Sequence, residues 1–182
     1  MKRSVALILS ALMGAVLFTS GTTAASAAPY CGITWGSLAK SQGETAPDAT
    51  ITNARSGQHP CFDRFVVDVR GDLSGYDVEY VQVVRQEGSG APVPLRGAAD
   101  LRVIALSDPF DNNNVVTYDP ANDREAVNVN GYRTFRQVAF AGGFGGQSTF
   151  GLGVRARLPF RTFILDGPGS GSRLVVDVAH QW

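Results

Sequence analysis

Two distant stretches of the chain carry one pattern: "RFVVDV" at Arg64–Val69 and "RLVVDV" at Arg173–Val178. Both are rich in β-branched residues, which favour strands, and a strand turns successive side chains to opposite faces. Arg64, Val66 and Asp68 therefore point one way and Phe65, Val67 and Val69 the other. The second hexamer splits likewise, with Arg173, Val175 and Asp177 opposed to Leu174, Val176 and Val178. The apolar sets are the expected core faces, and the charged sets are expected to face outward. Along one strand an Arg and an Asp four residues apart are separated by roughly 13 Å, too far to pair with each other. Each needs a cross-strand neighbour, solvent or a ligand. Two arrangements satisfy this. As antiparallel neighbours centred on Val66 and Val175, the strands would set Arg64 against Asp177 and Asp68 against Arg173. In separate sheets, each would display its own Arg and Asp.

The same period recurs through the rest of the chain. In "TFGLGVRARL", Phe150, Leu152, Val154, Ala156 and Leu158 alternate with Thr149, Gly151, Gly153, Arg155 and Arg157, which predicts a half-buried strand. Further short runs, "YDVEYVQVV", "LRVIAL", "RTFRQVAF" and "RTFILD", are separated by turn-rich stretches such as "QEGSGAP" and "DGPGSGS". Helical periodicity is confined to "GSLAKS" and "DPANDREA". The predicted fold is all-β, a small sandwich of two similar antiparallel sheets over residues 49–182, preceded by a short irregular extension over residues 28–48.

With 182 residues, 44% of them hydrophobic, the chain can bury one core. Its 16 basic and 16 acidic residues balance, so nothing in the charge points to nucleic acid or an anionic membrane. Lys2 and Arg3 precede an apolar run, Val5 to Phe18, followed by Ala25-Ser26-Ala27. This is the layout of an export signal over residues 1–27, with cleavage after Ala27. The run is too short to cross a ~30 Å hydrocarbon core, so no integral membrane segment is expected after cleavage. Secretion, to the medium or the cell wall, follows. Cys31 and Cys61 are the two cysteines, and an oxidising compartment favours a disulfide between them. Lipid attachment at Cys31 fits poorly, because bulky Tyr30 precedes it and no Leu stands three residues before it.

Two R-x-V-x-D strands framing a small sandwich in an exported chain resemble the AMIN domain, a non-catalytic module attached to periplasmic amidases and pilus secretins. The wording "CGITWGSLAK", "ARSGQHPCFDRFVVDV" and the run from "GYRTFRQVAF" to "RLVVDVAHQW" is similar to the stand-alone AMIN-like domain proteins of actinobacteria, over nearly the whole mature chain. The resemblance implies two similar sheets, each presenting one motif, and a role in holding peptidoglycan or an exported envelope protein. Carried onto this chain, it nominates Arg64, Asp68, Arg173 and Asp177 as ligand-binding residues. The chain departs from the better-studied members in having no amidase or secretin domain attached. A third echo, "RTFILD", sets Arg161 and Asp166 five apart and therefore on opposite faces.

Other chemistries find little support. There is no G-x-S-x-G elbow and no H-E-x-x-H, and His59 and His180 stand far apart in the sequence. "SDPFDNNN" lacks the calcium-loop order, "GGFGGQS" lacks the Lys of a phosphate loop, and Trp35 and Trp182 suit buried anchors better than sugar platforms. No cofactor, metal or catalytic residue is expected. The leading expectation is a secreted, non-catalytic cell-envelope module; the alternatives are a domain docking on another exported protein and, behind it, a small hydrolase.

Overall fold

The computed structural model describes residues 29–45 and 48–182, so the predicted leader lies outside the described residues. Eleven strands follow in order: β1 (Lys40–Gln42), β2 (Thr50–Gln58), β3 (Phe62–Arg70), β4 (Tyr76–Val81), β5 (Val84–Arg85), β6 (Pro92–Val93), β7 (Ala99–Ala105), β8 (Phe135–Gly143), β9 (Ser148–Val154), β10 (Phe160–Asp166) and β11 (Gly171–Ala179). They form a five-stranded sheet in the order β1-β4-β7-β9-β8, a four-stranded sheet in the order β10-β11-β3-β2, and a small β5-β6 ribbon. Every strand pairing is antiparallel. The predicted sandwich is the observed architecture.

The core lies between the two larger sheets. From the four-stranded side it takes Phe65, Val67, Leu174 and Val176, and from the other side Leu101, Val103, Phe150 and Leu152, all sealed from solvent. The Phe65 and Phe150 rings meet across the layer with centroids 5.3 Å apart. Full burial of each such side chain contributes roughly 1.5–3 kcal/mol, so the inward residues of the two hexamers are central to stability. At the margin of this core the Tyr80 hydroxyl donates to the Leu158 carbonyl at 2.7 Å and accepts from the Leu158 amide at 3.1 Å. Burial pushes that hydroxyl up to about 12, which keeps it protonated and able to donate.

Strand β9 differs from the half-buried strand expected. Every residue from Ser148 to Val154 is buried, because residues 84–97 fold over its second face. The two glycines there have a steric reason: a Cβ on Gly153 would stand 2.0 Å from the Arg96 carbonyl oxygen, and one on Gly151 would stand 2.9 Å from Leu95. The alternation of Gly with large apolar residues therefore records two packed faces, not one wet face.

The hexamers occupy β3 and β11, which are neighbours in the four-stranded sheet. Their register pairs Val66 with Val175, Arg64 with Asp177, and Asp68 with Arg173. This corrects the arrangement implied by the resemblance, in which each sheet presents one motif. The two stretches share one sheet because their inward residues form a continuous apolar surface facing Phe150 and Leu152, and a one-residue slip would turn that surface to solvent.

The N-terminal extension is more ordered than its sequence indicates. A 3₁₀ turn at Tyr30–Gly32 leads to Trp35, Gly36 bridges to Phe160 at the start of β10, and β1 then joins the edge of the other sheet against β4. It spans both layers, and the Cys31–Cys61 disulfide, with Cα atoms 6.5 Å apart, fixes its beginning to the β2-β3 connection. Closing a loop of 30 residues removes unfolded-state entropy worth about 3–4 kcal/mol in the chain-entropy model. Urea denaturation of the Cys31→Ser/Cys61→Ser double variant should show a loss of that size, with the near-ultraviolet signal of Trp35 altered. A midpoint unchanged from the oxidised wild type would mean that the crosslink contributes nothing to stability.

Candidate functional site

The outward positions of β2, β3, β11 and β10 make one face. In register across it lie Arg55 and Asn53 on β2, Arg64, Val66, Asp68 and Arg70 on β3, Arg173, Val175 and Asp177 on β11, and Arg161 and Phe163 on β10. Five arginines thus share the face with two carboxylates. Val66 and Val175 are only 3% and 2% exposed although they point away from the core. Long guanidinium side chains flank them in the same and adjacent strands, and the aliphatic stems of such residues shield apolar neighbours.

At one end of the face Asp177 is fully buried. Its carboxylate accepts from Arg64 at 2.6 Å (Nε) and 2.9 Å (Nη2), and from Arg161 Nε at 2.8 Å. All four nominated charges were expected to stand open to solvent; Asp177 does not, because both adjacent strands place an arginine beside it. The hydrogen-bonded carboxylate pushes the Arg64 guanidinium further up from its already high value. Both guanidiniums lie near aromatic faces: Arg161 is 5.6 Å from the Trp35 centroid, 5.4 Å from Phe62 and 5.3 Å from Phe163, and Arg64 is 5.3 Å from Phe62. Such contacts are each worth about 0.5–1 kcal/mol at exposed sites. Trp35 is half-buried here, its indole N–H donating to the Tyr30 carbonyl at 2.8 Å. Trp182, in contrast, is 70% exposed and is not the buried anchor expected.

The other end is built differently. Asp68 opposes Arg173 in register, yet its carboxylate is taken by Arg55 at 2.8 and 3.0 Å and by the Asn53 amide at 3.2 Å. Arg173 instead donates through Nη2 to the Asp166 carbonyl at 3.1 Å, and its Nε is buried with no acceptor. Beside it opens a cavity of about 440 Å³, lined by Arg55, Asp68, Arg70, Ser170, Ser172 and Arg173 among others. The two hexamers match in sequence and differ in chemistry: one arginine has its carboxylate and the other does not.

Arg55 and Arg161 complete these clusters, and neither belongs to the repeated pattern. Arg161 was visible in "RTFILD" as an echo with misplaced spacing; only the position of β10 beside β11 gives it a partner.

A separate cavity of about 340 Å³ brings His59 and Asp63 together with Arg133 and His180, which are distant from them in sequence. Buried Asp63 accepts from His180 Nε2 at 3.1 Å and from the backbone amides of Thr134 at 2.5 Å and Phe135 at 3.2 Å. The carboxylate ties the segment entering β8 to β3. In "SDPFDNNN", Asp108 accepts from the Gly146 amide and Asp111 from the amides of Asn113 and Val115, which is turn chemistry. Among the described residues no three His, Cys, Asp or Glu side chains are grouped to hold a metal ion. No described helix is long and apolar enough to cross a membrane.

Fold and face together define a disulfide-tethered antiparallel sandwich whose charged motif strands lie side by side. The AMIN-like domain family model matches residues 49–180, and the chain belongs to that family. Membership associates it with the cell envelope. No curated protein and no solved structure matches the chain.

The unequal ends make a quantitative prediction. In a double-mutant cycle with Asp68→Ala and Arg173→Ala, the two losses of stability should add within about 0.5 kcal/mol, since the residues face each other without pairing. The Arg55/Asp68 cycle should show a modest favourable coupling of about 0.2–1 kcal/mol, as befits a partly exposed pair. A coupling above about 1 kcal/mol between Asp68 and Arg173 would contradict this geometry.

Proposed function

We propose that the protein is an exported, non-catalytic module held at the cell envelope, and that it binds peptidoglycan through the outer face of the four-stranded sheet. The observation that carries this reading is the composition of that face: Arg55, Arg64, Arg70, Arg161 and Arg173 share it with Phe62, Phe163 and Trp35, against Asp68 and Asp177. Planar guanidinium forks suit the carboxylates of wall stem peptides. Family membership and the disulfide support an envelope location.

In this reading the nominated residues divide by task. Asp177 and Asp68, each engaged by arginines, hold the guanidiniums in position, and the arginines meet the ligand. Arg64 is partly spent on Asp177, whereas Arg173 holds no carboxylate and contributes more.

The oxidised mature protein should sediment with purified cell wall, and a folded Arg173→Ala variant should bind about tenfold more weakly, the size of losing one charged hydrogen bond. Circular dichroism confirms the fold of the variant first. A wild-type protein that stays in the supernatant while capturing another exported protein would replace wall binding with docking on that partner.

A further inference from the structure

We infer that the cavity beside Arg173 is a binding site for the terminal carboxylate of a short peptide, the carboxylate seating between Arg173 and Arg70. This rests on the reading that the outer face of the four-stranded sheet is the binding face, and it narrows that reading to one end of the face and one chemical group.

The inference comes from comparing the two ends. The β3-β11 register relates them by an approximate two-fold axis through Val66 and Val175, which makes Arg173 the counterpart of Arg64 and Asp68 the counterpart of Asp177. At the Asp177 end the carboxylate is shared by Arg64 and Arg161 and the cluster is closed. At the Arg173 end Asp68 faces Arg55 and Asn53 instead, so Arg173 lacks the carboxylate that its counterpart holds. One donor of Arg173 rests on a backbone carbonyl, and the buried Nε has no acceptor. Arg70, exposed on the cavity wall, makes no side-chain hydrogen bond or ion pair among the described residues.

The cavity lining is therefore rich in donors. Three guanidiniums face one carboxylate, and that carboxylate is already engaged. The Ser172 hydroxyl accepts from the Leu73 amide at 2.8 Å and donates to the Gly71 carbonyl at 2.8 Å, so it holds the floor in shape and is not available to a ligand. The exposed Ser170 and Pro168 also line the cavity, one offering a hydroxyl and the other an apolar edge. Two guanidiniums without a carboxylate partner on one cavity wall select a planar oxyanion, and the exposed Pro168 suits a small apolar side chain next to it. A peptide ending in alanine has both features.

The test uses the oxidised mature protein, isotopically labelled, titrated with acetyl-D-alanyl-D-alanine, with the same dipeptide as its C-terminal amide, and with inorganic phosphate. The acid should shift the amide resonances of Gly171 and Arg173, and the amide should bind at least about tenfold more weakly, because it cannot fill the charged acceptor position. Arg70→Gln, at an exposed residue without contacts to lose, should weaken the acid about tenfold with an unchanged melting temperature. Arg173→Lys should also weaken it, since an ammonium keeps the charge and loses the planar fork. Equal binding of acid and amide, or an Arg70→Gln variant that binds as wild type does, would overturn the site. Phosphate binding as tight as the acid would overturn the carboxylate assignment. Wall sedimentation of the wild type with no response to the acid defeats this inference alone; a response to the acid without wall sedimentation defeats the wall reading alone.

Discussion

One buried carboxylate organises the outer face of the four-stranded sheet. Asp177 has no exposure to water, and a charge so placed is tolerated only when paired and hydrogen-bonded. It receives three donors from two arginines, one on each adjacent strand. Because those arginines must arrive opposite the same residue, the ion cluster ties β10, β11 and β3 into a single register. The inward faces impose the same register independently, through Phe65, Val67, Leu174 and Val176. Charge pairing on one face and hydrophobic packing on the other thus select the same alignment, which is the local and global consistency that makes a fold specific.

The repeated hexamer is a repeat of strand design more than of site design. On the core side its two copies do the same work. On the outer side the neighbours decide: Arg161 on β10 joins the Asp177 cluster, while Arg55 on β2 draws Asp68 away from Arg173. An approximate two-fold arrangement of sequence therefore yields one closed ion cluster and one open one. The aromatic residues add to this inequality, since Trp35, Phe62 and Phe163 gather around the Arg64 and Arg161 guanidiniums. The N-terminal extension supplies Trp35, so the disulfide that anchors the extension also shapes that end of the face.

What the sequence made legible follows from local periodicity. Period-2 alternation identified the strands and the inward residues of both hexamers, and the count of two cysteines, read with an expected export, pointed to the disulfide. Pairing between strands is a different kind of information. Both arrangements of the hexamers satisfied the alternation, and only the tertiary fold chose between them. Arg55 and Arg161 carry no local mark of their roles, because a cross-strand partner is defined by register and not by spacing along the chain. The same holds for Asp63 and His180, which meet from positions far apart in the sequence. Full burial of β9 was hidden for a related reason: glycine at alternate positions reads as a weak outer face until residues 84–97 are seen to cover it.

The central claim is that the two motif strands are neighbours whose charges pair across the strand boundary, with Asp177 as the shared acceptor. A double-mutant cycle on Arg64→Met and Asp177→Asn, read by urea denaturation of the oxidised protein, tests it most directly. The structure predicts that each single change is destabilising and that the pair couples by about 1–3 kcal/mol, because Asp177→Asn removes the charge that Arg64 holds and Arg64→Met leaves the buried carboxylate with Arg161 alone. Losses that simply add, within about 0.5 kcal/mol, would contradict the account and leave the hexamers as two independent strands.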